Sequence, residues 1–132
     1  QLKEVFSHIL NAPEEQSILW HCTEGKDRCG MTSALFLYLL DVDMKTIYED
    51  YLFTNQAVAR KASRFYWMIR IFKRDRKLAE KARAAFIADQ SYLEAALDEI
   101  TQKFGSLDAY LERQLGITPQ MREKFKAEAL EP

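Results

Sequence analysis

The sequence predicts an α/β fold, a central parallel sheet flanked by helices, to which this chain contributes one strand and most of the helices. A single apolar run at residues 17–21 is typical of a buried strand. Nearly all of the chain after residue 30 has the apolar spacing and capping residues of helices. Because one strand cannot form a sheet, we expect residues 1–132 to be the C-terminal portion of a single domain, with further strands N-terminal to Gln1. An all-helical protein in which residues 18–20 form a loop is the alternative.

The composition is that of a folded globular domain. Apolar residues make up 48% and charged residues 30%, which excludes a disordered chain as the default. A net charge of −1 excludes binding to nucleic acid through bulk charge. The longest apolar run, residues 34–40, is too short to span a membrane, and the chain does not open with a signal-like segment. We therefore expect a cytoplasmic protein, with a secreted effector as the alternative.

The first part of the chain predicts a helix, a strand, a loop and a second helix, in that order. Apolar side chains recur at helical spacing over residues 2–10, and Pro13 ends that helix because proline cannot continue the hydrogen-bond ladder. The strand at residues 17–21 leads into a polar loop at residues 22–28. A fully buried helix is expected over residues 31–40.

Two helices are expected next, the second of them unusually rich in aromatic and basic residues. Asp43 can cap a helix that reaches residue 53, and the second helix covers residues 56–73. Residues 60–83 hold ten basic side chains against two acidic ones. They are interpreted either as a basic collar that steers anionic substrates or anionic membrane surfaces, or as a solvated helix face. Residues 65–72 are expected in the core, and a lid or a surface for a missing part of the domain is the second interpretation.

Three later segments carry helix-start signals. Ser91 and Glu94 form a capping box, in which each side chain satisfies a backbone N–H of the other, ahead of a helix that ends near Phe104. Ser106 is expected to cap a second helix, which ends at Gly116. Thr118 is expected to cap a third, in which Pro119 takes the first helical position.

The polar loop at residues 22–28 contains the candidate catalytic residues. Cys22, five residues and Arg28 stand between the strand and the helix, so the backbone between them can curl and point successive N–H groups at one oxyanion. Gly25 permits that curl. The guanidinium fork matches two phosphate oxygens, and the positive surroundings favour the thiolate of the cysteine, which is a nucleophile in line with phosphorus.

A carboxylic acid and an amine stand beside that arginine. Asp27 could protonate a leaving oxygen and then activate water, or it could be a first-turn carboxylate that the helix dipole favours. Lys26 could hold a second anionic group of the substrate. With two cysteines and two histidines, the chain is too poor in ligands for a disulfide framework or a zinc site, so no metal or cofactor is expected.

The loop and two later segments resemble those of the cysteine-dependent tyrosine phosphatases. Residues 21–30, His-Cys-Thr-Glu-Gly-Lys-Asp-Arg-Cys-Gly, are similar to the His-Cys-x-x-Gly-Lys-Asp-Arg loop of the bacterial and fungal branch. Residues 49–55 look like that branch's Asp-Tyr-Leu-x-Ser/Thr-Asn segment, and residues 106–111 look like the start of its C-terminal helix. The resemblance extends over most of the chain, to about residue 130. It implies a tyrosine-phosphatase-like sheet whose N-terminal strands lie outside this chain.

The resemblance also implies roles for the loop residues. Cys22 would be the nucleophile, Arg28 the phosphate clamp, and Asp27 the acid and base that replaces a mobile Trp-Pro-Asp loop. Lys26 would contact a second phosphate or an acidic substrate group, and His21 is expected to be buried and to orient the loop. The phosphate would be held by the six residues Thr23, Glu24, Gly25, Lys26, Asp27 and Arg28, with Glu24 expected at the solvated rim.

One position departs from the family's pattern. Where the family has serine or threonine after the arginine, this chain has Cys29, whose thiol is a weaker hydrogen-bond donor than a hydroxyl. Three interpretations stay open: Cys29 slows turnover, it forms a disulfide with oxidised Cys22, or it is a small buried thiol.

The implied function is metal-free hydrolysis of phosphomonoesters through a cysteinyl-phosphate intermediate, on phosphotyrosine protein or with dual specificity. A phosphoinositide phosphatase with the same loop is the alternative within the family. Alternatives of another class are a rhodanese-type sulfurtransferase, a non-catalytic phosphate-binding module and an inactive fragment. The expected partners are a phosphorylated protein or a phosphoinositide, and the missing N-terminal half of the domain, with no nucleic acid.

Overall fold

A computed structural model describes residues 1–13 and 15–130 of the chain. Within these residues the fold consists of seven α-helices and contains no β-strand. A π-helical turn, Leu111–Leu115, continues the sixth helix. The helices are α1 Leu2–Leu10, α2 Asp27–Leu39, α3 Met44–Phe72, α4 Arg76–Phe86, α5 Gln90–Phe104, α6 Leu107–Tyr110 and α7 Pro119–Ala129.

The helix at residues 2–10 and three of the predicted helix starts are confirmed. Asp43 accepts a hydrogen bond from the backbone N–H of Thr46 at 3.1 Å, at the start of α3. The hydroxyls of Ser106 and Thr118 accept in the same way from the residue three positions on, at 3.0 Å and 3.3 Å. Gly116 ends the π-helical turn with φ of 80°, a left-handed conformation that a residue without Cβ adopts without strain.

The predicted capping box before α5 is wrong. Asp89 caps this helix instead, because its carboxylate accepts from both the backbone N–H (3.0 Å) and the hydroxyl (2.6 Å) of Ser91. Glu94 accepts from the side chain of Gln90 at 2.6 Å. A charged cap two residues upstream therefore takes the hydroxyl that the box would have used.

One long helix replaces the two that were predicted over residues 43–73. The 29 residues of α3 include no glycine and no proline, so nothing interrupts the hydrogen-bond ladder between residues 53 and 56. After a short turn in which Arg74 has φ of 51°, α4 folds back along α3 and the two form a helical hairpin.

The strand predicted at residues 17–21 is absent. The side chain of Leu19 is 88% exposed and that of Ile18 40% exposed, so this run is not buried. A strand needs a hydrogen-bonded neighbour, and the described residues contain none. Trp20 instead anchors the segment on α2, where its indole N–H donates to Ser33 Oγ at 3.3 Å. A loop at residues 18–20, the alternative from the sequence, describes this segment correctly.

The core lies where α1, α2, α3, α5 and the π-helical turn meet. Its largest fully buried side chains are Phe6, Leu35, Leu39, Ile47 and Leu111. Each side chain of this kind contributes roughly 1.5–3 kcal/mol by leaving water. Full burial of the second predicted helix is wrong, because four of its side chains are only partly buried: Met31, Phe36, Leu37 and Tyr38.

The distal part of α3 extends beyond this core. Its 29 residues span about 44 Å, which is longer than the packed core of so small a chain. Core burial is therefore wrong for five of the apolar side chains here, which are exposed, from 36% for Phe65 to 80% for Phe72: Phe65, Trp67, Met68, Ile71 and Phe72. Phe65 packs against Phe86 of α4, with ring centres 4.8 Å apart.

Among the helices within the described residues, none has both the length and the apolar character that crossing a membrane requires.

Candidate active site

The loop before α2 curls around the sulfur of Cys22. Gly25 has φ of 69°, and its backbone N–H donates to Cys22 Sγ at 3.1 Å. The backbone N–H groups of Glu24 and Cys29 also lower the pKa of this sulfur. The N–H of Gly25 and the N-terminal end of α2 therefore place a positive field at Cys22.

These donors set the ionisation of Cys22. Burial opposes its ionisation, but hydrogen bonds from the backbone and thiol of Cys29 and from the backbone of Glu24 and Gly25 outweigh that effect and lower the pKa of Cys22 to about 7. A larger fraction of Cys22 is therefore thiolate at neutral pH than of an ordinary cysteine.

Asp27 and Arg28 lie at the rim of the loop, in the first turn of α2. Arg28 Nη2 donates to Thr23 Oγ1 at 3.4 Å, a long hydrogen bond that lays the guanidinium across the loop. The Asp27 side chain is 72% exposed, and its Oδ1 lies 3.6 Å from the ammonium of Lys26. Both residues are therefore open to solvent and to a ligand.

A cavity of about 500 Å³ opens beside the loop. It is lined by the three predicted catalytic residues, Cys22, Asp27 and Arg28, together with Cys29. Apolar lining residues come from α1, the anchoring tryptophan and α2: Leu2, Val5, Trp20 and Met31. His21 also lines the cavity and is exposed, so its predicted burial is wrong; the strand that would have covered it is absent.

Lys26 occupies a place that the sequence did not indicate. Its side chain is only 8% exposed, and its ammonium donates to the backbone carbonyls of Ala85 at 2.9 Å and Ile87 at 3.5 Å. The ammonium also lies 5.7 Å from the ring centre of Tyr92. In this structure Lys26 fastens the loop to the last turn of α4 and the residue that follows it, and it does not line the cavity.

A second tie joins the loop to α3. Lys61 donates to both carboxylate oxygens of Glu24, at 2.9 Å and 2.7 Å. Glu24 therefore lies at the half-exposed rim, as expected, but in an ion pair and not free in solvent. This pair makes α3 and its basic residues a direct neighbour of the loop.

Asn55, the last residue of the family-like segment 49–55, is a positioning residue to which the sequence analysis assigned no role. Its amide donates to the backbone carbonyl of Ala88 at 2.8 Å and accepts from the N–H of the same residue at 2.7 Å. It thus fixes the segment whose carbonyls hold Lys26. The available signal was an asparagine in the middle of a long helix, where that residue type is unfavourable unless its amide has a partner.

Gly30 lets α2 approach α3 closely. A Cβ at this position would lie 2.6 Å from Cε2 of Tyr51, a distance that real contacts do not reach. This glycine, two positions after Arg28, is therefore constrained by helix packing and not by the chemistry of the loop.

Comparison with known proteins agrees with this geometry. The profile of the tyrosine phosphatase family matches residues 1–131. The triple specificity protein phosphatase PtpB of Mycobacterium tuberculosis is 36% identical over 110 residues, which are 76% of this chain and 39% of that protein. A Cupriavidus necator protein named as a tyrosine-protein phosphatase is 30% identical over 135 residues, covering 95% of this chain and 45% of its own length. A tyrosine-protein phosphatase of Nostoc commune is 41% identical over 51 residues, or 39% of this chain and 17% of its own.

The chain spans less than half of the length of each of these relatives. The family profile nevertheless covers the chain almost from end to end, including the loop that curls around Cys22. On this evidence the chain belongs to the tyrosine phosphatase family.

Proposed function

We propose that the protein hydrolyses phosphomonoesters through a cysteinyl-phosphate intermediate on Cys22. The observation that carries the proposal is the loop that curls around Cys22: the N–H of Gly25 donates to a sulfur whose pKa is about 7, in one cavity with Asp27 and Arg28. Donors arranged around a thiolate at a helix N-terminus can also hold the oxygens of a phosphate placed directly above it.

In the first step the phosphate docks on the loop and the thiolate attacks phosphorus. Arg28 exchanges its long hydrogen bond with Thr23 for two phosphate oxygens, which its planar fork matches better. As the bond between phosphorus and the ester oxygen breaks, the carboxylic acid of Asp27 protonates that oxygen. The Asp27 side chain lies at the cavity rim, where a leaving group would emerge.

In the second step water replaces the sulfur. Asp27, now a carboxylate, takes a proton from a water molecule that attacks phosphorus, and Cys22 leaves as a thiolate. The hydrogen bonds that lower the pKa of Cys22 stabilise it as a leaving group as well as a nucleophile. The thiol of Cys29 supplies one of these bonds in place of the hydroxyl expected in the family.

The substrate that we propose is a phosphotyrosine side chain, with dual specificity toward phosphoserine and phosphothreonine. The apolar side chains that line the cavity together with Cys22, which include Leu2 and Val5, suit an aryl ring. The name of the mycobacterial relative, a triple specificity phosphatase, supports a range wider than phosphotyrosine. A phosphoinositide is the second candidate, and the basic residues of α3 beside the loop favour it.

We further propose that these residues are the C-terminal portion of a longer phosphatase domain. Two observations support this: the described residues contain no strand, and the chain spans less than half of its relatives. The parallel sheet and the remaining substrate contacts would then come from residues outside this chain.

The test is hydrolysis of a small aryl phosphate by the full-length protein that carries this sequence, at mildly acidic pH with EDTA. Cys22→Ser should lower kcat by at least about 10³-fold, and Asp27→Asn by roughly 10²–10⁴-fold. Arg28→Lys keeps the charge but loses the fork, so it should raise KM as well. Full activity of the Cys22→Ser protein would refute the mechanism.

Parallel assays separate the candidate substrates and the rival functions. A phosphotyrosine peptide should be hydrolysed with a higher kcat/KM than a phosphoserine peptide or a short-chain phosphoinositide. Sulfur transfer from thiosulfate to cyanide would indicate a sulfurtransferase. Phosphate binding with no turnover of any of these substrates would indicate a binding module.

A further inference from the structure

The outward face of α3 combines exposed apolar side chains with arginines. α4 packs along the inward face, where Phe65 contacts Phe86 and Ala62 is buried. Five other side chains recur at intervals of seven, four, three and four residues, which places them together on the opposite face, here called the outward stripe: Phe53, Arg60, Arg64, Trp67 and Ile71. All five are exposed, Phe53 by 65% and Trp67 by 60%.

The cationic and apolar groups of this face border the same space. A cavity of about 970 Å³ on α3 is lined by Arg60 and Arg64 together with Trp67 and Met68. Apolar side chains as large as these are normally buried, and a contiguous exposed group of them marks a surface that contacts another molecule. That molecule has to accept aromatic rings and guanidinium groups side by side.

The charge of the hairpin has one sign and is largely uncompensated. Between Tyr51 and Phe72, α3 contains no acidic residue. Residues 60–83 hold ten basic side chains, and with the described acidic residues only Lys61 and Arg76 of these ten form ion pairs. The hairpin therefore presents a positive surface that attracts an anionic partner.

We propose that the hairpin of α3 and α4 docks the protein on an anionic lipid bilayer, with the outward stripe as the contact face. Trp67 and Ile71 would enter the boundary between headgroups and acyl chains, as the apolar face of an interfacial helix does. Arg60 and Arg64 would pair with lipid phosphates at the level of the headgroups. Docking of this kind goes beyond the proposed function and does not require turnover.

The chemistry of the stripe favours a bilayer over a protein partner. A further part of the same domain packed on this face would bury Arg60 and Arg64, and α3 supplies no carboxylate to pair with them there. A second copy would bring two hairpins of the same charge into contact, and they would repel each other. The bilayer interface instead takes tryptophan rings and guanidinium groups at the same depth, without removing the charges from water.

Docking has a consequence for the candidate active site, and this step alone rests on the proposed function. Lys61 of α3 holds the loop through both carboxylate oxygens of Glu24, at 2.9 Å and 2.7 Å. A hairpin bound to lipid would therefore keep the loop and Cys22 at the bilayer. Phosphorylated groups attached to that bilayer would then be present at a high effective concentration.

The experiment measures sedimentation of the full-length protein with phosphatidylcholine vesicles, with and without about 30% phosphatidylserine. We expect binding to the anionic vesicles only, weakened at least about tenfold by 0.5 M NaCl. The double variant Arg60→Glu with Arg64→Glu should bind at least about tenfold more weakly, and so should Trp67→Ser with Ile71→Ser.

Matched control variants carry the same kinds of change outside the hairpin. Lys103→Glu with Lys124→Glu reverses two exposed charges on α5 and α7, and Met121→Ser with Leu130→Ser removes two exposed apolar side chains. Both should bind the anionic vesicles within about twofold of the parent protein. The Trp67→Ser and Ile71→Ser protein should hydrolyse a small soluble aryl phosphate as the parent does, which shows that it is folded.

The outcomes separate docking from the proposed function. No binding to anionic vesicles, or equal binding by the stripe variants and their controls, would overturn docking, whatever the aryl phosphate assay shows. So would failure of a maleimide to label Trp67→Cys in the folded full-length protein, since the stripe would then be covered. A dimer that Trp67→Ser with Ile71→Ser dissociates would assign the stripe to a contact between copies and overturn docking. Vesicle binding by a protein with no phosphatase activity would support docking and refute the proposed function alone.

Discussion

At the scale of single residues, Cys22 owes its ionisation to short-range hydrogen bonds and not to a paired histidine. The N–H of Gly25 donates to its sulfur at 3.1 Å, and the backbone and thiol of Cys29 and the backbone of Glu24 also lower its pKa. Backbone donors survive every substitution that preserves the loop, whereas the thiol donor can be removed on its own. Position 29 is therefore where a single substitution can tune the nucleophile without unfolding its surroundings.

Alkylation of Cys22 by iodoacetamide should accelerate as the pH rises, with a midpoint of about 7, because only the thiolate reacts. Cys29→Ala removes one donor to the thiolate, so it should move the midpoint to higher pH. Cys29→Ser keeps a donor and should hold the midpoint below that of the alanine variant. Identical midpoints in these two variants would show that the thiol bond does not affect Cys22.

Lys26→Met should destabilise the protein by about 1–3 kcal/mol, because it leaves two backbone carbonyls without their donor. Urea unfolding measures this loss. Lys77→Met, at an exposed lysine of α4, is the control and should change stability by no more than about 0.5 kcal/mol. Unchanged stability together with a raised KM would instead make Lys26 the substrate ligand that the family resemblance implies.

The sequence could predict the chemical identity of the loop residues but not all of their contacts. The spacing of Cys22 and Arg28 suffices to expect a curled loop, because that curl is a local property of seven residues. The partners of Lys26 lie 59 and 61 residues away along the chain, at backbone atoms whose position no side-chain pattern reveals. His21 was misjudged for a related reason, since its burial depended on a strand that is not there.

At the scale of elements, the close contact between α2 and α3 depends on a glycine, which has no side chain. Gly30 leaves room for the ring of Tyr51, which is itself almost fully buried. The start of α2, which carries Arg28, is thereby held at a fixed distance from α3. Helix packing of this kind controls where the rim of the cavity lies.

Gly30→Ala should cost about 1–3 kcal/mol of stability, because its Cβ would overlap the Tyr51 ring and force the helices apart. The same substitution in a Tyr51→Leu background should cost much less, since the overlapping ring is gone. Unfolding curves of the four proteins of this cycle provide the test. An equal penalty in both backgrounds would mean that the overlap is not the cause.

Elements were predictable where a local interaction defines them. The caps at Asp43, Ser106 and Thr118 were found because each acts within three residues. The strand at residues 17–21 was not correctly predicted, because strand formation depends on a partner elsewhere. The predicted burial of the apolar side chains at the end of α3 was wrong for the same reason. Apolar character predicts that a side chain is buried, but it does not identify the element against which the side chain would pack.

At the scale of the whole molecule, positive charge is concentrated on one hairpin. Residues 60–83, in α3 and α4, hold ten of the nineteen basic side chains and only two of the twenty acidic ones. One of these basic residues, Lys61, already reaches the loop through Glu24. The rest of the hairpin should add a positive field on that side of the cavity, although the net charge of the chain is −1.

Because of this field, kcat/KM for a dianionic aryl phosphate should fall by roughly tenfold between low salt and 0.5 M NaCl. Replacing Arg60 and Arg64 by glutamate should lower the rate at low salt and flatten the salt dependence. Lys103→Glu, which makes a charge change on α5, is the control and should alter the slope less. Equal slopes for all three proteins would indicate that these charges belong to a solvated helix face.

The tie between Lys26 and the end of α4 has a consequence for how this region can change over generations. The acceptors are main-chain carbonyls, at Ala85 in the last turn of α4 and at Ile87 just after the helix, and the side chain of Ala85 is exposed. A substitution at position 85 would leave its carbonyl where it is, so the identity of that residue is free to change. Insertion or deletion of a residue within α4 would displace both carbonyls from the ammonium. Among functional descendants of this sequence, the length of α4 should therefore be kept more strictly than the identity of residue 85.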